Sequence, residues 1–299
     1  MTVYSQIASN KAKTFLIIFL FMVICSGLFL LIGKFLDDPW YYFIIGFVIS
    51  IISSVGSYFY SDKIVLATTR ARPVSKKEYF DLYTVVENLS IADGLPMPKI
   101  YVIDDLAPNA FATGRNPKHA VVVATTGLLK RLDRTELEGV IAHELSHVKN
   151  YDILVSSIVG VLVGTIALVA EWIMRSMWWG GFRRRNDSRE NGNPLMYIFF
   201  IVVLLITPIV ATLIQLAVSR KREFLADASG ALLTRYPTGL ARALQKIADD
   251  PHVLGTATVN TAHLFIENPF KNTKITSWVT SLFSTHPPIE DRIKALMSM

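Results

Sequence analysis

The chain carries six histidines in 299 residues. Two of them, His143 and His147, stand four apart in the stretch His143-Glu144-Leu145-Ser146-His147. On an α-helix a four-residue step returns to the same face, offset by about 40° around the axis. Both imidazoles can therefore reach one ion. Ring nitrogens about 2.0–2.1 Å from Zn²⁺ fill two positions of a tetrahedral shell, and a catalytic zinc takes a third protein ligand and leaves the fourth position to water. Glu144 lies beside that water and can take its proton, while the metal lowers the water pKa towards about 7 and polarises a peptide carbonyl. The pattern points to metal-assisted peptide hydrolysis. The competing explanation is two solvated histidines on a surface helix. With so few histidines, a chance match is expected in fewer than about one chain in a hundred. The single cysteine, Cys25, sits in an apolar run, so no intrachain disulfide and no cysteine-based zinc site can form.

The third ligand does not come from the next turn of the same helix. The longer HExxHxxGxxH pattern fails, with Asn150 at its glycine position and Ile153 at its last histidine. A second candidate pair, Glu223 and Asp227, lies four residues apart in Arg222-Glu223-Phe224-Leu225-Ala226-Asp227. Read alone, that face is equally a salt-bridged one with Lys221 or Arg222. It resembles the ExxxD half of the glutamate-zinc peptidases. The resemblance implies Glu223 as third metal ligand and Asp227 as the carboxylate that orients a ligating imidazole, that of His143, through its other ring N–H.

Further segments make the likeness specific. Residues 108–114 read PNAFATG, residues 143–147 HELSH, residues 219–230 SRKREFLADASG and residues 284–288 STHPP, with two hydrophobic segments between the second and third. Together they resemble, over most of the chain, the HtpX family of bacterial membrane zinc metalloproteases, relatives of the CAAX prenyl proteases. The family implies one Zn²⁺ per subunit on His143, His147 and Glu223, with Glu144 catalytic. It implies a cytoplasm-facing endopeptidase that removes misfolded or damaged membrane and cytoplasmic proteins in quality control and stress response. A late histidine in similar enzymes donates to the oxyanion, which places His286 in that role. Arg292 is the alternative source of that charge, or else an exposed residue paired with Glu290 or Asp291. The strand at Asn109, Ala110, Phe111 and Ala112 suits substrate binding by β-augmentation if it lies at a sheet edge. Without the resemblance it reads as sheet core. His119, His252 and His263 are expected to be structural or exposed.

These groups need elements to position them, and composition limits the choice. Apolar residues make up 52% of the chain and charged ones 18%, which excludes a charge-coated soluble particle, disorder and collagen. Runs at 14–32, 40–58, 153–174 and 195–218 are each long enough to cross a hydrocarbon core of about 30 Å. A cleaved signal peptide is the rival for the first run, and buried core helices for the last two. The expected architecture is an α+β integral membrane protein of four transmembrane helices with a mostly helical, zincin-like catalytic domain and a small antiparallel sheet. Residues 1–60 form a transmembrane hairpin and 61–152 the first catalytic half with the HExxH helix. Residues 153–218 form a second hairpin with a basic loop at 175–194, and 219–299 supply the second half with the third ligand.

The net charge of +6 is concentrated beside the spans rather than on a nucleic-acid motif, of which there is none. Ten Lys and Arg flank the spans on the side of residues 61–152 and 219–299, against six on the other, counting Lys34 and five arginines at 175–189. This count predicts a cytoplasmic catalytic side, and the HtpX resemblance implies a bacterial cell membrane. The aromatic and basic cluster at 177–185 reads as an interfacial anchor. Ser75 with Glu78 and Thr135 with Glu138 are expected to cap two helices, and runs at 99–103, 109–113 and 120–125 to be strands. The expected partners are the lipid bilayer and unfolded or membrane-protein substrates, and the oligomeric state is not set. Rival functions are a zinc-stabilised, non-catalytic scaffold or holdase, and a CaaX-type prenyl-protein endopeptidase. An ion transporter fits poorly because the spans carry almost no ionisable residues beyond Glu171.

Overall fold

In a computed structural model of the chain, the described residues are 3–35, 37–176, 219–258, 261–267 and 287–299. The expected span at 195–218, nearly all of the basic loop and His286 lie outside them. Helices α1 (Val3–Phe35) and α2 (Pro39–Thr68) form a hairpin. Asp38 caps α2 by accepting from the Tyr41 amide at 3.2 Å, and Pro39 occupies its first turn, where no amide donor is needed. A long helix α6 (Asp152–Ser176) packs against both. Among the described residues, three helical stretches are long and apolar enough to cross a membrane: Ser5–Lys34, Pro39–Thr68 and Asp152–Val169. Their outward faces carry Phe15, Phe19, Val23, Ile44 and Ile52, all exposed, as a lipid-facing surface requires. Inside, Ile17 and Phe21 of α1 meet Leu154, Val155, Ile158 and Leu162 of α6. The small side chains Ser50, Ser54, Ser57 and Ser61 are buried along α2 and permit close helix contact.

The polar part begins with β1 (Arg72–Pro73) and α3 (Phe80–Asp93), then β2 (Lys99–Ile103), β3 (Ala110–Gly114) and β4 (Ala120–Thr125). Short α4 (Thr126–Arg131) leads to α5 (Arg134–Lys149), which turns at Tyr151 (φ 60°) into α6. After the undescribed stretch come α7 (Arg220–Thr234), α8 (Pro237–Ala248), a 3-10 turn (Ala262–Leu264) and α9 (Ile289–Met297). One core joins Val85, Val122, Val140, Ile141, Leu145, Leu240, Leu244 and Leu296 across α3, the sheet, α5, α8 and α9. A second sits between the sheet and the end of α2, where Val65 and Leu66 meet Phe111, Val121, Val123 and Phe265.

Strand order is β1-β2-β4-β3, with β1/β2 and β3/β4 antiparallel but β2/β4 parallel. The sheet is thus mixed, correcting the expected antiparallel one. After β2 the chain crosses to the far edge to form β3, and β4 returns between them. The run AVVVAT shows why: all six residues are buried. A strand covered on both faces reads as continuous apolar sequence, the mark of a central strand rather than an exposed hairpin arm.

Two caps also differ. Residues 76–78 form a turn and α3 starts at Phe80 with Tyr79 as its N-cap, so Ser75 and Glu78 make no capping box, although the Glu78 amide donates to the Ser75 carbonyl. On α5 the box is Asp133 with Glu136, two residues ahead of the expected Thr135 and Glu138. Asp133 accepts from the Glu136 amide at 2.9 Å, and Glu136 accepts from the Asp133 amide at 2.9 Å.

Candidate metal centre

Helix α5 buries His143 and Glu144, and His147, one turn on, is partly buried beside them. Helix α7 crosses it at Gly230, where an added Cβ would lie 3.1 Å from the His143 backbone nitrogen. That close approach brings Glu223 and Asp227 down onto the two imidazoles. The two Nε2 atoms are 3.2 Å apart. Glu223 Oε2 is 3.7 Å from His143 Nε2, and its Oε1 is 3.5 Å from His147 Nε2. Ligands at about 2.0–2.1 Å from a tetrahedral ion stand about 3.3–3.4 Å apart, so these spacings fit one small divalent cation. Among the described residues, His143, His147 and Glu223 form the only group of three or more His, Cys, Asp or Glu side chains with this convergence.

Each ring is held from behind by a carboxylate. Asp227 Oδ1 lies 2.9 Å from His143 Nδ1, and Asp152 Oδ2 lies 3.1 Å from His147 Nδ1. With Nδ1–H donated to the carboxylate, Nε2 presents its lone pair to a metal. Asp227 itself receives two bonds from Arg292, from Nε at 2.8 Å and from an Nη at 2.7 Å. Arg292 has no solvent exposure, and its other Nη donates to the Ile266 carbonyl at 3.2 Å. The expected exposed pairing of Arg292 with Glu290 or Asp291 is corrected: its guanidinium is buried on Asp227, with an Nη 3.8 Å from Glu223. The signal missed in the sequence was Asp152, five residues after His147 at the head of a hydrophobic run.

The electrostatics favour positive charge between these carboxylates. Burial alone lowers the His147 pKa, but the bond to Asp152 and the charges of Glu223, Asp152 and Glu144 prevail and raise it to about 9. A field that favours a proton there favours a divalent cation more. Burial raises Asp227, yet the Arg292 and His143 bonds overcome it and hold the carboxyl near 2, so it stays ionised. Burial raises the Glu144 carboxyl against the pull of His143 and His147, which suits a group that must both take and give a proton. The donor set is therefore that of a metal site with two imidazoles and one carboxylate.

A cleft opens on this cluster, with Ala112 of β3 on one wall and residues 263–266 on another. Strand β3 is a sheet edge, as β-augmentation requires. At Ala110 that edge is already met, since the Ile266 amide donates to the Ala110 carbonyl at 3.1 Å. Asn109 precedes the strand and donates through Nδ2 to the Glu267 carbonyl at 3.1 Å. The Phe111 side chain points to the opposite face, edge-on to Phe265 at 5.0 Å. His263 is buried on the cleft wall with Nε2 2.9 Å from the Ser156 carbonyl. His119 and His252 are satisfied near the surface by Asn116 and Asp250.

Residues 76–299 match the family described as peptidase family M48. A protein named "Protease HtpX homolog" from Tropheryma whipplei (strain Twist) is 47% identical over 296 residues, covering 99% of this chain and 98% of that protein. One of the same name from Dictyoglomus turgidum is 44% identical over 298 residues, covering 100% and 95%. Among solved structures, the crystal structure of S. mikatae Ste24p aligns with a TM-score of 0.49 at 22% identity, covering 98% of this chain and 67% of that one.

Proposed function

Because this chain belongs to peptidase family M48, we propose that its metal is a single Zn²⁺ on His143, His147 and Glu223, with Glu144 as general base and acid. It is a membrane-bound metalloprotease, and its surroundings are a lipid bilayer and protein substrates. The observation that carries the site assignment is the convergence of two Nε2 atoms and one carboxylate, with a second carboxylate behind each ring. When bound, the ion supplies Lewis acidity that polarises a peptide carbonyl and acidifies water. Glu144 takes a proton from the attacking water on a carboxylate oxygen and returns it to the departing amine nitrogen. Asp227, clamped by Arg292, and Asp152 fix the two rings so that Nε2 faces the ion.

Substrate lies extended along β3 in this reading. Strand residues alternate in direction, so Ala112 presents its backbone to the same edge as Ala110, and Ala112 lines the cleft. Of the expected residues Asn109, Ala110, Phe111 and Ala112, the pairing falls to Ala112, since the Asn109 backbone bonds to Thr125 of β4, Phe111 faces β4 and the Ala110 carbonyl is held by Ile266. Backbone pairing selects unfolded segments with little side-chain preference, which suits removal of misfolded membrane and cytoplasmic proteins. His286 is assigned as hydrogen-bond donor to the oxyanion. The enzyme sits in the bacterial cell membrane with its two soluble halves, 61–152 and 219–299, facing the cytoplasm. A CaaX-type substrate is not favoured, since the close relatives bear the HtpX name.

The test is cleavage of casein and of a CaaX peptide by purified, metal-analysed protein, with Glu144→Gln alongside. We expect one zinc per chain in both proteins and casein cleavage only in wild type, with the variant down by about 10²–10⁴-fold. A fully metallated wild type that cuts nothing would return the protein to a zinc-stabilised scaffold.

A further inference from the structure

The metal ligand His147 is tied to the first membrane helix. Asn10, in the opening turns of α1, is buried, and its amide nitrogen donates at 2.8 Å to both the Asn150 carbonyl and Asp152 Oδ1. Its carbonyl oxygen accepts from Arg222 at 3.4 Å, and the same Arg222 nitrogen donates to Asp152 Oδ1 at 2.8 Å. One oxygen of Asp152 is thus fixed by Asn10 and Arg222, and the other is turned to His147 Nδ1 at 3.1 Å. Asn10, Arg222 and Asp152 come from α1, α7 and the corner between α5 and α6. One residue on, Lys11 lies over the Tyr151 ring at 4.8 Å, so α1 grips the corner twice.

Packing does not require an asparagine there. The α1–α6 contact is made lower down by Ile17 and Phe21, and an amide in a membrane helix is costly unless its donors and acceptor are met. Here every hydrogen-bonding atom of the amide is used, and the partners belong to the corner that carries the carboxylate behind His147. We propose that Asn10 is a positioning residue of the metal centre: by fixing Asp152 from within the first membrane helix, it sets the orientation of His147 and so the affinity of the site. The inference rests on His147 being a metal ligand.

The experiment uses the full chain in nanodiscs and reads Zn²⁺ affinity by competition with a chelating dye, together with the absorption spectrum of the Co²⁺-loaded protein. Asp152→Asn should weaken zinc binding by about 10–100-fold, the range for losing a carboxylate behind a ligating histidine. Asn10→Leu, nearly isosteric and easily accepted by a membrane helix, should weaken it by about 5-fold and shift the Co²⁺ bands. In the Asp152→Asn background, Asn10→Leu should add less than about 2-fold, because its effect passes through Asp152. Phe21→Ala, which loosens the same helix contact elsewhere, should lower the unfolding temperature and leave affinity and spectrum unchanged. The proposal is overturned if Asn10→Leu keeps wild-type affinity and spectrum, or if Phe21→Ala weakens zinc binding as much. A His147→Ala protein that still binds zinc like wild type would instead overturn the ligand assignment.

Discussion

Among single residues, Arg292 bears more of the site than its surface-helix setting in the sequence implied. Its guanidinium meets both oxygens of Asp227 in a dry interior, and Asp227 holds His143. Removing one member of such a pair leaves a buried charge without its partner, at a cost of about 3–5 kcal/mol. We therefore expect Arg292→Ala to unfold the polar part or lower its unfolding temperature by many degrees. Arg292→Lys keeps the charge but loses the planar fork, so one Asp227 oxygen goes unbonded. That variant should fold, bind zinc about 10–100-fold more weakly and lose activity in step, measured by metal competition beside a cleavage assay. Wild-type affinity in Arg292→Lys would reduce the residue to a structural strut. Asp227 was reached in the sequence through the resemblance to the ExxxD pattern, since its shared helix face with Glu223 reads alone as a salt-bridged one equally well. Arg292 was not, because its pairing spans 65 residues and nothing local distinguishes it from an exposed arginine.

Two predictions belong to the helices that carry the ligands. The first concerns the start of α5. Asp133 is exposed, and the hydrogen bond from the Glu136 amide, followed by that from Thr135, lowers its pKa below the usual carboxylate value. An acid depressed in the folded state stabilises it above the unfolded pKa and loses that contribution as pH falls through the folded one. Asp133→Ala should cost about 1 kcal/mol at neutral pH, and the difference from wild type should shrink as pH drops below about 4. Thermal unfolding at pH 7 and pH 3 checks both parts. The second concerns the contact of α5 with α8, where a Cβ on Gly139 would lie 2.7 Å from the Leu240 backbone nitrogen. Gly139→Ala gains about 1 kcal/mol of helix propensity but forces two backbones apart, at about 1–3 kcal/mol. A net loss of stability is expected, and a stabilised variant would show that the helices can separate freely.

The same elements show what sequence could and could not reveal. The bounds of β2 and β4 and the helical face of HExxH follow from local periodicity and were legible. The insertion of β4 between β2 and β3 was not, since partner choice depends on packing against Val65 and Leu66 of a distant membrane helix. The α5 cap was misplaced by two residues because Asp133-x-x-Glu136 and Thr135-x-x-Glu138 overlap, and only the fold decides between them. Asp152 escaped notice because a carboxylate at the head of an apolar run reads as a span boundary before it reads as a partner for histidine.

At the scale of the whole molecule, the contacts reduce orientation to a single choice. Helix α2 has 30 residues, about 45 Å at 1.5 Å per residue, so about 10 residues extend beyond a hydrocarbon core of about 30 Å. Its far end is Val65 and Leu66, packed beneath the sheet. The opening turns of α1, through Asn10, reach the corner beside the metal centre. Both ends of the hairpin therefore lie on the catalytic side, and the connector at 33–38 lies on the other. With the loop at 175–194 on the opposite side, as the sequence leads one to expect, lysine and arginine number ten against six in favour of a cytoplasmic catalytic side. The sole cysteine, Cys25, is removable as Cys25→Ser, leaving a background for single-site labelling. In that background Lys76→Cys, exposed on the polar part, should react with a membrane-impermeant maleimide only after the cells are permeabilised. Lys34→Cys, exposed at the connector, should react in intact spheroplasts. The reverse pattern would place the peptidase outside the cell, where cytoplasmic substrates and the cytoplasmic domains of membrane proteins could not reach it.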